Sequence, residues 1–310
     1  MVGDVARRVW PRVEQPGGEV AEAARRQDWP AVRDLLLAVP EGEWEPLLRG
    51  LGVGEGVREW LAEVIEKEPE PALALLVSAS CHIHWAWEAR TDALATYVSA
   101  EQFRLFHERL RIAEEQLYEV AEREPAWAEP WHLLLITGRG LEVGPTPAYE
   151  RFEAVVRRQP EHLGAHLQYL QQVAAKWGGS EEEMHHFAWT AMTGARPGSP
   201  LGVLVAVAHI ESMLDRGGRP SHYFGQPTVR RALREAADRS VCHPDHRRGP
   251  DWAFEYNAFA MVFALGGETR AARQLFRALG GRVTESPWRY LSVGAVPAYR
   301  RWRHRCGVWF

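Results

Sequence analysis

A four-residue packing pattern occurs twice in this chain at a fixed offset, and this repetition limits the architectures that the chain can adopt. Each copy has a small residue, two larger apolar residues and a closing proline, and the second copy begins 35 residues after the first. The copies are Ala113, Leu117, Val120, Pro125 and Ala148, Phe152, Val155, Pro160. Repetition at about 30–40 residues is typical of stacked helical hairpins.

The stretch before the first closing proline has helical periodicity. Its apolar residues recur every three or four positions and so share one face of a helix. They are Phe103, Phe106, Leu110, Ala113, Leu117 and Val120. This helix should end before Pro125, because a residue that precedes proline avoids the helical conformation. We expect a new helix near Trp131, a turn at Gly138 or Gly140, and a partner helix over residues 148–158.

These residues resemble the tetratricopeptide repeat, in which a helix with Trp and Leu pairs with a second helix carrying Ala-x3-Phe-x2-Ala before proline. Trp131 and Leu134 match the first helix, whereas Gly138 stands where an aromatic residue is usual. The next unit has His166 at the Trp position, and its second helix keeps only the spacing, with His185, Trp189, Met192 and Pro197. A last hairpin matches more closely, through Tyr256, Phe259, Ala260, Phe263, Ala272, Phe276 and Leu279.

The resemblance implies an all-α fold of stacked antiparallel helical hairpins, a tetratricopeptide-like α-solenoid with right-handed superhelical order. We expect three parts: a helical N-terminal segment with a Gly-rich joint (1–56), the repeat domain (57–282) and a cap rich in Arg and Trp (283–310). Segments 86–90, 176–180 and 208–211 are also similar to uncharacterised bacterial proteins with such folds. That second resemblance implies no activity.

Composition indicates a protein of the cytoplasm. The formal net charge is −4, and only the cluster of basic residues at 300–305 is strongly positive, so nucleic-acid binding is not expected. Residues 1–20 lack the apolar core of a signal peptide, and the longest apolar run, 72–79, is too short to span a membrane. Lys67 and Lys176 are the only lysines, as in proteins encoded by GC-rich bacterial genomes. The three cysteines do not form a disulfide framework.

Two clusters of Cys and His contain residue types that bind zinc. Cys81, His82 and His84 point in different directions if they lie on one helix. Cys242, His243, Asp245 and His246 lie in a loop, but no second ligand pair with zinc spacing accompanies them. We therefore predict no metal and no cofactor at either cluster.

The Glu-x-x-His motif supports an alternative in which the chain is an enzyme. Glu and His three positions apart share a helix face, and carboxylate-bridged di-iron bundles use two such pairs with two further glutamates, here Glu88 or Glu211. The pairs are Glu129 with His132, Glu182 with His185, and Glu183 with His186. However, Pro130 places Glu129 at a helix start, and Ser180 makes residues 181–183 a capped first turn, so both have structural explanations. No nucleophile motif is present.

Our leading hypothesis is a non-enzymatic binding scaffold that holds a protein or peptide in a concave groove. In tetratricopeptide arrays the inner helices line this groove, and Trp and Arg often anchor interfaces. The expected groove residues are Trp85, Trp87, Arg90, His132, Arg139, His166, Gln171, Lys176, Trp177, His209 and Glu211. A third hypothesis is a biosynthetic tailoring protein with a small-molecule pocket among Trp85, Trp87, His166 and His209. Because the third repeat loses its packing residues, we expect a specialised surface around residues 166–211.

Overall fold

The computed structural model describes residues 12–13, 17–49, 51, 56–90, 98–291 and 294–309, and in these ranges the fold is all-helical apart from one short strand pairing. Most of the Gly-rich joint and of the N-terminal residues 1–16 lies outside them. The helices are α1 (Gly18–Arg25), α2 (Trp29–Leu37), α3 (Trp44–Arg49), α4 (Val57–Lys67), α5 (Ala72–Arg90), α6 (Ala100–Arg123), α7 (Glu129–Gly140), α8 (Pro145–Val156), α9 (Leu163–Gln172), α10 (Glu181–Gly194), α11 (Val203–Arg216), α12 (Pro220–Phe224), α13 (Pro227–Arg239), α14 (Trp252–Leu265), α15 (Thr269–Leu279), α16 (Glu285–Trp288) and α17 (Ala295–Arg305).

The chain forms two compact units. The first, here the N-terminal unit, is Gln15–Gln172 and contains α1–α9. The second, the C-terminal unit, contains Val173–Phe310 and a short strand from the start of the chain. That strand, β1 (Arg12–Val13), pairs in parallel with β2 (Arg282–Val283). The division at residue 172 was not among the predicted domain boundaries.

Helix α6 confirms the helix predicted from periodicity. Five residues of the predicted apolar face are buried: Phe106, Leu110, Ala113, Leu117 and Val120. A capping box starts the helix, because Ser99 accepts from the backbone of Gln102 and the Gln102 side chain accepts from the backbone of Ser99. The helix ends at Arg123, before Pro125, as predicted.

Helices α7, α8 and α9 follow as short elements that pack on one another. The second packing copy lies on α8, where Ala148, Phe152 and Val155 are buried. Gly138, the departure from the repeat pattern, faces the Arg151 guanidinium, and a Cβ there would collide with it. Arg151 pairs with Glu114 at 2.7 Å. A side chain at position 138 would therefore displace a buried ion pair.

The C-terminal unit contains the last predicted hairpin as α14 and α15. All seven apolar residues that predicted it are buried. Phe276 then packs against Trp288 and Tyr299, which come from the following helices, with ring centroids 5.8 and 5.2 Å away. Among the described residues, no helix has both the length and the apolar character needed to cross a membrane.

Candidate functional site

In the N-terminal unit, the predicted groove residues mostly contact other parts of the same unit. Trp85 lies between two guanidinium groups, with Cζ of Arg58 and Arg109 at 3.7 and 3.4 Å from its ring centroid. Trp87 packs edge-on against Phe106. Arg90 and Gln171 are half-buried.

The three remaining groove residues of this unit are one half-buried arginine and two buried histidines. Arg139 donates to Oε1 of Gln168 at 2.6 Å, and burial lowers its pKa to about 10. His132 is fully buried and His166 is 5% exposed. Burial also lowers the pKa of His166 to about 4, so this ring is neutral at pH 7. Because a buried ring has no surface to offer a partner, His132 and His166 belong to the core rather than to a groove.

In the C-terminal unit, the predicted residues divide between an ion pair and a cleft. Lys176 Nζ donates to Oε2 of the buried Glu211 at 2.8 Å. Trp177 is half-buried in the adjacent 3-10 turn. His209 differs from these residues because it lines an open cleft.

We call this feature the histidine cleft. It is formed by α10, α11 and α13 and has a volume of about 600 Å³. Its residues on α10 and α11 lie within the region 166–211, where we expected a specialised surface, whereas α13 lies outside that region. Its lining residues are Glu182, Glu183, His185, His186, Trp189, Val205, His209 and Ala232. A second hollow of about 510 Å³ shares Glu182, His185 and His209 and adds Arg216 and Tyr223. Cavities of this size are typical of ligand sites.

A chain of hydrogen bonds fixes the orientation of His185. Arg216 binds both carboxylate oxygens of Glu181, at 2.9 and 3.0 Å. The hydroxyl of Ser212 also donates to this carboxylate. Burial raises the pKa of Glu181, but the hydrogen bonds from Arg216 and Ser212 outweigh burial, so the pKa is lowered overall. The Ser212 oxygen can then accept from Nε2–H of His185, which lies 2.8 Å away. This assignment leaves the Nδ1 lone pair of His185 as its acceptor for a ligand.

The second imidazole has the opposite polarity. Tyr223 Oη lies 2.9 Å from Nδ1 of His209. Burial raises the pKa of Tyr223, partly offset by its hydrogen bond with Ser212, so the hydroxyl is protonated at pH 7. We assign this hydroxyl as the donor to Nδ1 of His209, an assignment that places the imidazole proton on Nε2. Burial lowers the pKa of His209 to about 3 and also lowers that of His185. At neutral pH the cleft thus contains two uncharged rings, with centroids 4.6 Å apart, that offer one acceptor and one donor.

Ser212, His185 and Glu181 do not form a nucleophilic triad. In a triad the carboxylate binds the imidazole nitrogen opposite the one that contacts the hydroxyl. Here Glu181 and Ser212 both lie on the Nε2 side of His185, at 3.9 and 2.8 Å. Ser212 is also 1% exposed, so a substrate does not reach its oxygen. The geometry therefore does not support acyl transfer at Ser212.

Sequence reasoning found only part of this cleft. It selected His209 for the groove and the pairs at 182–186 for metal, but it missed Tyr223, Ser212 and Trp189 as site residues. Trp189 stands at a position that the repeat pattern uses for packing, yet it is 37% exposed. Ser212 and Tyr223 lie on different helices from His185, and no spacing in the sequence indicates contacts between helices.

The N-terminal unit holds a second constellation, which we call the buried trio: Glu129, His132 and His162. One ligand atom from each lies within 4.8 Å of the others, and among the described residues this is the only group of three with such geometry. Oε1 of Glu129 lies 3.1 Å from Nδ1 of His132, and Oε2 lies 3.4 Å from Nε2 of His162. Burial raises the pKa of Glu129, but the two imidazoles outweigh it and hold the pKa at about 2. In the part of the chain that the structure describes, the histidine clusters at 81–84 and 242–246 form no comparable group.

Glu41 joins the trio to the start of α7. Its Oε1 accepts the backbone N–H groups of Ala128 and Glu129 at 3.0 and 2.7 Å, and its Oε2 accepts from the side chain of Gln159. Burial raises the pKa of Glu41, partly offset by the Glu129 backbone N–H, and the Glu129 charge raises it further. Glu41 thus caps α7, because Ala128, the residue before this helix, has no polar side chain that could do so.

Hydrogen bonding in the trio fits protons better than a metal ion. A histidine that binds metal through one nitrogen donates its other N–H to an acceptor. Nδ1 of His162 instead accepts the backbone N–H of Ala165 at 3.1 Å. Nε2 of His132 has no hydrogen-bond partner among the described residues and faces Gly164. With a metal bound, each histidine would have a buried N–H without an acceptor. Without a metal, Nδ1–H of His132 and Nε2–H of His162 both donate to Glu129, and only the Nε2 lone pair of His132 lacks a partner.

Comparisons with protein-family models, with curated proteins and with solved structures found no match to this chain. The tetratricopeptide resemblance therefore stays a prediction from its residues. The function has to be argued from the two sites themselves.

Proposed function

We propose that this chain is a non-enzymatic helical binding protein that holds a short segment of a partner protein in the histidine cleft. The observation that carries the proposal is the pair of neutral imidazoles, His185 and His209. Nε2 of His185 is hydrogen-bonded to Ser212 and Nδ1 of His209 to Tyr223, and the other nitrogen of each ring is its contact for a ligand. Fixed polar groups beside an apolar wall are the usual composition of a recognition site. Of the predicted groove residues, His209 belongs to this surface.

The proposal includes finer features expected from the sequence. The helical hairpins, such as α14 with α15, would stack as a right-handed tetratricopeptide-like solenoid, and the protein would act in the cytoplasm. The packing of α7 against both α8 and α9 supports repeated hairpins within the N-terminal unit.

The cleft assignment is tested by filling the cleft. Ala232 is half-buried in the wall formed by α13, and Ala232→Trp would occupy the space that a ligand needs. The matched control is Ala271→Trp, at another half-buried alanine of the same unit that does not line the cleft. Binding would be measured by fluorescence anisotropy with labelled pentapeptides whose central residue is Ala, Phe, Glu, Lys or Arg.

We expect saturable binding of at least one peptide to the wild type and to Ala271→Trp, and a loss of about tenfold or more in affinity in Ala232→Trp. Circular dichroism would establish that both variants are folded. If no peptide binds the wild type, or if Ala232→Trp binds as well as the control, the cleft does not have the proposed function.

A metal-dependent function is the second candidate, because the buried trio brings together the Glu129–His132 pair and His162 within ligand distances. The alternative enzyme hypothesis predicted such a use of Glu-x-x-His. The donor arrangement around His132 and His162 weighs against it, as does the full burial of Glu129 and His132, since a catalytic metal keeps one position open.

A further inference from the structure

We infer that the segment bound in the histidine cleft presents an arginine side chain, with its guanidinium on Glu182 and His185 and a backbone carbonyl on His209. This inference rests on the proposed function and adds the chemical class of the ligand. It follows from three properties of the cleft: its charge, its donor and acceptor pattern, and its aromatic wall.

The charge of the cleft is negative. Glu181, Glu182 and Glu183 lie in the first turn of α10. Among the described residues that line either hollow, the one Arg or Lys is Arg216, which lines the second hollow. Arg216 is already bound to Glu181 by two hydrogen bonds. Both Glu182 and Glu183 are exposed, and Glu183 accepts from the Ser180 hydroxyl at 3.0 Å. Glu182 is therefore the carboxylate that lines both hollows and is open to a cation from outside.

The imidazoles add no positive charge to oppose that cation. Burial lowers the pKa of both rings, so His185 and His209 are neutral at pH 7. The Nδ1 lone pair of His185 accepts an N–H of a guanidinium, which has five donors and no acceptor. Nε2–H of His209 is a donor and repels that group, but it matches a carbonyl oxygen of the peptide backbone. A peptide with a basic side chain satisfies both rings, whereas a free organic amine satisfies only one.

The aromatic wall distinguishes the type of cation. Trp189 is 37% exposed and lies on the face of α10 that also carries His185 and His186. A planar guanidinium stacks on an indole face and loses little hydration in doing so, which favours Arg over Lys. The second hollow already contains a cation–π contact, because Cζ of Arg216 lies 5.6 Å from the ring centroid of Tyr223. We place the ligand's guanidinium similarly, on Trp189 with Glu182 as its counter-ion.

The test replaces arginine by citrulline, which has nearly the same shape but no charge. Pentapeptides Ac-Ala-Ala-Xaa-Ala-Ala-amide, with Xaa as Arg, citrulline or Lys, would be titrated calorimetrically into wild-type protein, Glu182→Gln and Glu235→Gln. Glu235 is the matched control, an exposed glutamate of α13 outside the cleft. We expect the Arg peptide to bind the wild type about tenfold more tightly than the citrulline peptide, with Lys between them.

We expect Glu182→Gln to reduce the preference for Arg to about threefold or less, and Glu235→Gln to retain it. Equal binding of the Arg and citrulline peptides, together with loss of both in Ala232→Trp, would overturn the arginine assignment and leave the cleft function standing. Retention of the full Arg preference in Glu182→Gln would also overturn it. Failure of every peptide to bind the wild type would instead remove the proposed function itself.

Discussion

The chain uses the Glu-x-x-His spacing both in the buried trio and in the histidine cleft, and the two places differ in nearly every physical respect. In α7, the carboxylate of Glu129 binds His132 directly, and both side chains are fully buried. In α10, Glu182 is exposed, and its motif partner His185 is bound to Ser212 of α11 instead. The same helical spacing thus produces a buried hydrogen-bond network in one unit and part of an open cleft in the other.

The difference comes from the neighbouring elements rather than from the motif. A helix brings residues three positions apart onto one face, but it does not determine what covers that face. The His162 ring, which lies near Gly164, is the third member of the trio. The Glu41 carboxylate accepts a backbone N–H at the start of α7. His185 instead bonds to Ser212 of α11 and lines the cleft.

The largest expected effect separates the two glutamates by stability. Glu129→Gln removes one acceptor between two buried imidazoles and should lower the free energy of unfolding by about 3 kcal/mol. Glu182→Gln changes an exposed side chain and should stay within about 0.5 kcal/mol of wild type. Denaturant unfolding followed by circular dichroism measures both. Equal losses in the two variants would contradict the contrast between a closed and an open motif.

A smaller effect is expected from acid. Burial holds the pKa of His166 at about 4 in the folded chain, against 6.5 for the unperturbed side chain. The folded state then binds fewer protons than the unfolded state, so this contribution is complete above pH 6.5 and is lost as the pH falls toward 4. At pH 5 the loss amounts to about 2 kcal/mol.

This acid effect is measured by unfolding between pH 7 and 4.5. His166→Gln should show a shallower fall in stability than wild type over that range, whereas Gln at the exposed His222 should leave the fall unchanged. A variant at position 166 with the wild-type slope would show that this ring is protonated in the folded protein.

The smallest expected effect is that of zinc on the buried trio. If protons occupy the trio, added zinc leaves the Tm of the chelator-treated protein unchanged. A metal bound only by the folded state would contribute about 2.7 kcal/mol at a hundredfold excess over its Kd. A zinc-dependent rise in Tm that disappears in His162→Gln but persists in His185→Gln would identify the trio as a metal centre.

Much of the helical structure was predictable because its causes are local. The apolar face of α6 lies in one continuous stretch, and Ser99 and Pro125 mark where that helix can start and end. The α14–α15 hairpin was predictable for the same reason. The sites were less predictable, because His162 meets Glu129 across 33 residues and Ser212 meets His185 across 27.

The sequence alone determined that this chain is helical, where its main helices lie and which glutamates share a face with which histidines. Tertiary structure decided which of those pairs is buried, which groups each imidazole contacts and which side chains line a cleft. The physical reason is that helical periodicity is a property of neighbours along the chain. Burial and hydrogen-bond partners depend instead on groups from other helices, such as Glu129 for His162 and Tyr223 for His209. The repeated Glu-x-x-His motif therefore identified two sets of residues that share a helix face. Packing buried one set and placed the other at a cleft.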